Sequence, residues 1–121
     1  LLEMPELAAR TLVSVEALGT VRTRAGRTAG RYTPDWSGDY TFLCPTGNAQ
    51  LSVLFYEIAE KTGNEHYRSL ACSFLTEILP FQTRSGALPG SAPVWGPYMR
   101  FRYPNWAVKF FLDALRSWFT S

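Results

Sequence analysis

Two carboxylates, Asp35 and Asp39, lie four residues apart inside the aromatic stretch TVRTRAGRTAGRYTPDWSGDYTFLCP, which runs from Thr20 to Pro45. Paired carboxyl groups are the equipment of sugar processing: one protonates the leaving oxygen and the other acts as base or nucleophile at a set distance. Trp36 and Tyr40 stand beside them, and Trp95 and Tyr98 stand in a second stretch, FQTRSGALPGSAPVWGPYMRFRY, from Phe81 to Tyr103. All four offer flat faces for the C–H surface of a pyranose ring. Asn48 and Gln50, in what reads as the first turn of a helix, add amides able to bond sugar hydroxyls. Each residue also has a structural role open to it. Asp35 and Asp39, beside Pro34 and Gly38, are natural turn formers, and the Trp and Tyr rings can fill a core. Asn48 and Asn105 can satisfy helix-start amides, and Gln50 can bond neighbouring loop backbone. Trp36-Ser37-Gly38 between the carboxylates argues against a helix, so their spacing does not place them on one face.

Other chemistries find less support. A Cys/His nucleophile would have to pair Cys44 or Cys72 with the only histidine, His66. Two cysteines so far apart define neither a disulfide framework nor a zinc site, and they read as packed thiols beside a solvent-facing imidazole. No metal or nucleotide cofactor is expected, since GALPGS and TAGRYT both lack the spacing of a phosphate-binding loop. The basic residues are dispersed apart from Arg22, Arg24, Arg27 and Arg31, and a net charge of +2 gives no concentrated basic face, so nucleic acid is not an expected partner. Glu57, Glu60, Glu77 and Asp113 read as solvated helix surface, with Asp113 in reach of Lys109 or Arg116. No apolar run approaches the roughly 20 residues of a membrane span, and no basic segment leads into a hydrophobic signal core, so a cytoplasmic location is expected. The chain begins Leu1-Leu2-Glu3 without an initiator methionine, which reads as a piece of something longer.

These residues must be positioned by helices. Residues 1–121, 46% hydrophobic and 18% charged, are enough for one domain with its own core. From Cys44 to Leu79 the sequence spells a helical hairpin: Leu51, Leu54, Phe55 and Ile58 recur at helical spacing, as do Tyr67, Leu70, Ala71, Phe74, Leu75, Ile78 and Leu79. Gly63 suits a left-handed C′ position and Asn64 an N-cap. Helices are expected over about 5–18, stopped by Gly19, then from Thr46 or Gly47 to Thr62, from Asn64 to Leu79 and from Pro104 to Phe119. The first should bury Leu7, Ala8, Leu12, Val15 and Leu18, and the fourth carries Trp106, Phe110, Ala114 and Trp118 on one face beside Ala107, Phe111 and Leu115. The connections 20–45 and 81–103 exceed the usual helix-to-helix loop of about 2–8 residues. Their aromatic content must be buried or held against a ligand, and they are expected to lie together at one end of the hairpin layer.

The pieces GRYTPDW, CPTGNAQLS, TGNEHYR, GALPGSAPVWGPY and YPNWAVKFFLDAL, in this order over roughly residues 27–117, resemble the C-terminal part of bacterial helical-toroid proteins of the terpenoid cyclase and prenyltransferase-like superfamily. Six-hairpin glycoside hydrolases and polysaccharide lyases are similar in architecture. The resemblance implies an α/α barrel whose inner helices point their N-termini and preceding loops at a central cavity. A closed toroid takes about six hairpins and roughly 250 residues. This chain would then be part of one, mainly structural, with apolar faces left for the remainder of the toroid or for self-association.

The family's chemistry carries over poorly. The DxDD acid motif of squalene-type cyclases does not occur, and Asp39, Cys44 and His66 do not reproduce the Asp-x-Cys spacing of the zinc prenyltransferases. The chain more closely resembles relatives associated with polysaccharide biosynthesis or modification, which implies a carbohydrate ligand. An alternative of a different class is a protein-binding module, since the TGNEHY turn followed by Ala71 and Phe74 is similar to tetratricopeptide helices. No second copy follows at about 34 residues, which counts against it.

Overall fold

The computed structural model describes residues 5–119, and the opening Leu1-Leu2-Glu3 lies outside them. Those residues form four α-helices: α1 Pro5–Ala25, α2 Pro45–Thr62, α3 Glu65–Thr76 and α4 Asn105–Phe119. A single 3-10 turn covers Leu79–Phe81, and two-residue strands β1 (Arg31–Tyr32) and β2 (Gly38–Asp39) pair antiparallel. The fold is all-α.

The hairpin turn follows from two residues. Gly63 sits at φ 71° and ψ 11°, a left-handed position free of side-chain strain only for glycine, and its N–H donates to the Ala59 carbonyl at 2.8 Å. Asn64 Oδ1 then accepts from the His66 N–H at 2.9 Å, capping α3. The two helices run antiparallel, with Phe55 edge-on to Tyr67 and the Ser52 hydroxyl donating to the Ala71 carbonyl at 2.8 Å. The residues of α2 that are buried outright are Pro45, Thr46, Asn48, Ala49, Ser52, Phe55, Tyr56 and Ala59, whereas Leu51, Leu54 and Ile58 are only half-buried at the flank. Small and polar residues at the seam let α3 approach closely, and Asn48 and Ser52 each donate to an α3 carbonyl there.

Gly19 does not stop α1, which continues to Ala25 and ends before Gly26 at φ 75°. Its missing side chain is used for packing instead, since a Cβ there would lie 3.2 Å from Leu70 Cδ1. Gly19 beside Leu70 and Arg22 paired with Glu77 set α1 parallel to α3, so the first turns of α1 run past the start of α3. Val15, Leu18 and Gly19 are therefore buried, while Leu7, Leu12 and Val13 are exposed. The helix at α3 ends at Thr76, three residues earlier than the periodicity predicts, and passes through the 3-10 turn that contains Pro80.

Helix α2 is central. One apolar cluster joins Val15 and Leu18 of α1 to Phe55 and Tyr56 of α2 and to Leu70, Ala71 and Phe74 of α3. A second joins Ala49, Leu75 and Ile78 to Ala107, Phe111 and Ala114 of α4, and takes Leu43, Leu88 and Ala92 from the two connections. Ala49 shares that cluster with Ala107 and Phe111, and Tyr56 meets Trp118 edge-on at 5.1 Å, so α4 runs in the same sense as α2. Both helices begin at one end of the molecule, and the two connections lead into them there.

Candidate functional site

The first connection, residues 26–44, is folded inward and anchored by one carboxylate. Glu77 does not occupy solvated helix surface: its side chain is 18% exposed and collects four donors. Arg22 Nε and an Nη donate to Oε1 at 3.1 and 2.9 Å, and the Thr28 hydroxyl donates to the same oxygen at 2.6 Å. The Thr28 backbone N–H donates to Oε2 at 2.9 Å. The chain leaving α1 thus folds back over the end of α3 and is held there by charge-assisted bonds.

The β1–β2 turn beyond it holds both candidate catalytic carboxylates. Asp35 accepts from the Thr33 hydroxyl and from the Ser37 N–H, and these bonds hold its carboxyl below the ordinary value of 3.8. Asp39 accepts from the Thr41 hydroxyl and N–H and pairs with Arg31 at 3.0 Å, and the bonds from Thr41, ahead of those from Arg31, lower it likewise. A general acid needs the opposite shift, so that it still carries its proton at neutral pH. Asp35 and Asp39 are built as turn residues, and neither is electrostatically suited to protonate a leaving group. Trp36, at φ 65° in this turn, is half-buried; it lies 5.8 Å from the Tyr32 ring and packs on the α1–α2–α3 cluster. The Tyr32 hydroxyl accepts from the Ala29 N–H at 3.0 Å, and burial first of all raises its pKa. Tyr40 is half-buried beneath the Arg27 guanidinium, 4.8 Å above its ring.

The second connection, residues 82–104, is cross-linked by its own backbone. Leu43 and Ala92 exchange two N–H···O bonds of 2.7 and 2.9 Å, which bind the two connections together at the end where α2 and α4 begin. Ser91 Oγ accepts from the Tyr98 N–H at 3.0 Å and donates to the Tyr98 carbonyl, and Gly90 N–H donates to the Arg102 carbonyl at 2.9 Å. Phe101 N–H reaches the Val94 carbonyl at 2.8 Å. Gly90 has to be glycine in this packing, because a Cβ there would lie 2.3 Å from Met99 Cβ.

This closed loop turns its rings outward. Trp95 is 62% exposed and Phe101 65%, and Tyr98, Tyr103 and Trp106 at the head of α4 are exposed as well. Two cavities flank the segment. One, of about 260 Å³, lies between the connections and is lined by Gly30, Arg31, Phe42, Cys44, Pro97 and Tyr98. The other, of about 400 Å³, is lined by Met99, Arg102, Tyr103, Pro104, Asn105 and Trp106, where the first-turn amides of α4 favour negative charge.

The remaining candidates are scattered. Asn48 is 2% exposed, and its Nδ2 donates to the Phe74 carbonyl at 3.0 Å, so its amide joins α2 to α3 and is not presented to a ligand. Gln50 is exposed on α2. Cys44 is the half-buried N-cap residue of α2 and Cys72 is exposed on α3; both are free thiols. His66 follows the far end of α2, about 27 Å from Cys44 by helix rise alone, and lines a separate 260 Å³ cavity with Glu16, Gly19, Thr20 and Tyr67. The two cannot act as a nucleophile and its base. Among the described residues no group of three His, Cys, Asp or Glu side chains could hold a metal, and no helix is long and apolar enough to cross a membrane.

Of the residues singled out by sequence, the structure brings Tyr98 and Trp95 onto one loop and leaves Trp36, Tyr40, Asp35 and Asp39 on the other. Arg102, Tyr103 and Trp106, which line the cavity of about 400 Å³, were missed as site residues. One signal in the chain could have found them: no Asp or Glu occurs between Glu77 and Asp113. No family model, no curated protein and no solved structure matches the chain.

Proposed function

We propose that this chain recognises carbohydrate through the 82–104 loop and the head of α4, without cleaving it. The observation that carries the reading is the outward display of Trp95, Tyr98, Phe101, Tyr103 and Trp106 from a loop whose backbone is closed on itself. Rings fixed before binding lose little freedom when a sugar stacks on them, which is how a small contact area yields useful affinity. The turn hydrogen bonds that lower the pKa of Asp35 and Asp39 support binding over acid-assisted hydrolysis by this pair.

The parent protein, in this reading, is a prenyltransferase-like α/α toroid to which the chain contributes its helical hairpins. Two features support that. Helices α2 and α4 run in the same sense with their N-termini and preceding loops at one end, as inner helices of such a barrel would, and Leu7, Leu12, Val13 and Leu112 are left exposed for neighbouring helices.

A glycan array followed by tryptophan fluorescence tests the binding. Saturable quenching by a glycan, lost in Trp95→Ala and Trp106→Ala but kept in folded Trp36→Ala, is the expected result. Silence across the array with helical content intact removes the carbohydrate reading.

A further inference from the structure

The cavity at the head of α4 is lined by aromatic rings and by a cation that makes no ion pair among the described residues. Arg102 lines it beside Tyr103 and Trp106. The arginines elsewhere in the described residues are largely engaged: Arg22 with Glu77, Arg31 with Asp39, Arg68 with Glu60 and Glu65, and Arg27 over Tyr40. Arg84, Arg100 and Arg102 make no ion pair among the described residues. No carboxylate is available nearby in sequence, because the chain from Ile78 to Leu112 carries Arg84, Arg100, Arg102 and Lys109 and not one Asp or Glu. An unpaired guanidinium beside exposed rings forms a site whose missing component is negative charge on a flat, partly apolar ligand.

We infer that the cavity between Arg102, Tyr103 and Trp106 takes a uronate residue of an acidic oligosaccharide. This rests on the carbohydrate reading above and names its substrate class. A uronate carries its carboxylate at the edge of the pyranose ring. The ring can therefore stack on Trp106 or Tyr103 while the carboxylate meets the planar fork of Arg102, which matches it with two parallel bonds. Tyr98 and Trp95 lie along the same loop as platforms for adjoining sugars. Single-stranded nucleic acid also uses rings and cations, but it needs a positive groove that follows successive phosphates. Here the depression beside Arg102, about 400 Å³ and open to solvent, is lined by that one arginine and by no second cation.

The test titrates the protein with tetragalacturonate, cellotetraose, a sulfated cello-oligosaccharide and an oligothymidylate, read by tryptophan fluorescence and calorimetry at low and high salt. The uronate is expected to bind about tenfold or more tighter than the neutral sugar, an advantage that shrinks in high salt. In Arg102→Gln, checked for native helicity by circular dichroism, uronate affinity should fall to the level of cellotetraose, with Arg102→Lys in between. Equal affinity for uronate and cellotetraose, unchanged in Arg102→Gln, overturns the acidic specificity and leaves carbohydrate binding standing. Binding of neither removes both. Tightest binding of the sulfated sugar or of the oligothymidylate overturns the inference by assigning the cavity another occupant.

Discussion

The two connections have the same ingredients and opposite outcomes. Both are punctuated by Gly and Pro and rich in aromatics, yet residues 26–44 turn Tyr32, Trp36 and Phe42 toward the protein, whereas residues 82–104 turn Trp95, Tyr98, Phe101 and Tyr103 toward solvent. Charge separates them. In the first, Asp35 and Asp39 are consumed by turn hydrogen bonds, Arg31 is paired, Arg27 covers Tyr40, and Glu77 holds the loop's start against α3. In the second, Arg84, Arg100 and Arg102 accompany the rings and make no ion pair among the described residues. A loop whose polar groups find one another turns its rings onto the core, while a loop rooted in the core through Leu88 and Ala92 and closed by its own backbone leaves its rings outside.

The largest expected effect comes from cutting the anchor of the inward loop. Glu77→Ala leaves Arg22 and the Thr28 N–H without their shared acceptor and should cost about 3 kcal/mol in urea unfolding. Phe101→Ala in the outward loop should stay within about 0.5 kcal/mol, and similar costs for the two would break the contrast. Next come the packed glycines, one serving each loop. A Cβ at Gly30 would meet the Phe42 ring at 2.4 Å, and one at Gly90 would meet Met99 Cβ at 2.3 Å. Gly30→Ala and Gly90→Ala should each lose about 2 kcal/mol, seen as lower thermal midpoints, with Gly90→Ala alone also blunting the fluorescence response to sugar.

A finer division is expected between two tryptophans. Trp36→Ala should cost about 1.5 kcal/mol, because the ring packs on the α1–α2–α3 cluster, and should leave ligand binding intact. Trp95→Ala should leave the melting curve unchanged and weaken binding, and the reverse pattern would exchange the roles assigned to the two loops. The smallest effect is the pH response of the β1–β2 turn. Asp35 and Asp39 have folded-state values below 3.8, so their contribution is complete above that value and is lost as pH falls through the lower folded value. Asp39→Asn should therefore lower the thermal midpoint at neutral pH and make progressively less difference in acid. An equal effect at every pH would show that the carboxylate's charge does not hold the turn.

Local signals were legible wherever local groups satisfy them. Gly63 and Asn64 end one helix and start the next with hydrogen bonds to residues within four positions, and Lys109 meets Asp113 at 2.6 Å one turn along α4. Misreadings fall where a residue's local and long-range uses look alike. Gly19 fits a helix stop as well as a close helix approach, and Leu70, 51 positions away, is what makes it the second. Glu77 has the helical spacing of a surface residue until Thr28, 49 positions away, is laid against it. Asn48 fits an amide offered to a ligand until α3 brings the Phe74 carbonyl to it.

By itself the sequence determined the all-α class, the hairpin and its turn, the extent of α4 and the presence of two aromatic connections. Helical periodicity and capping depend on neighbours a few residues away, and those neighbours are already in the string. The tertiary structure decided which aromatics are core and which are displayed, which carboxylate is an anchor and which arginines make no ion pair among the described residues. Burial and ion pairing are properties of groups brought together from distant parts of the chain, and only the folded arrangement supplies the other half of each contact.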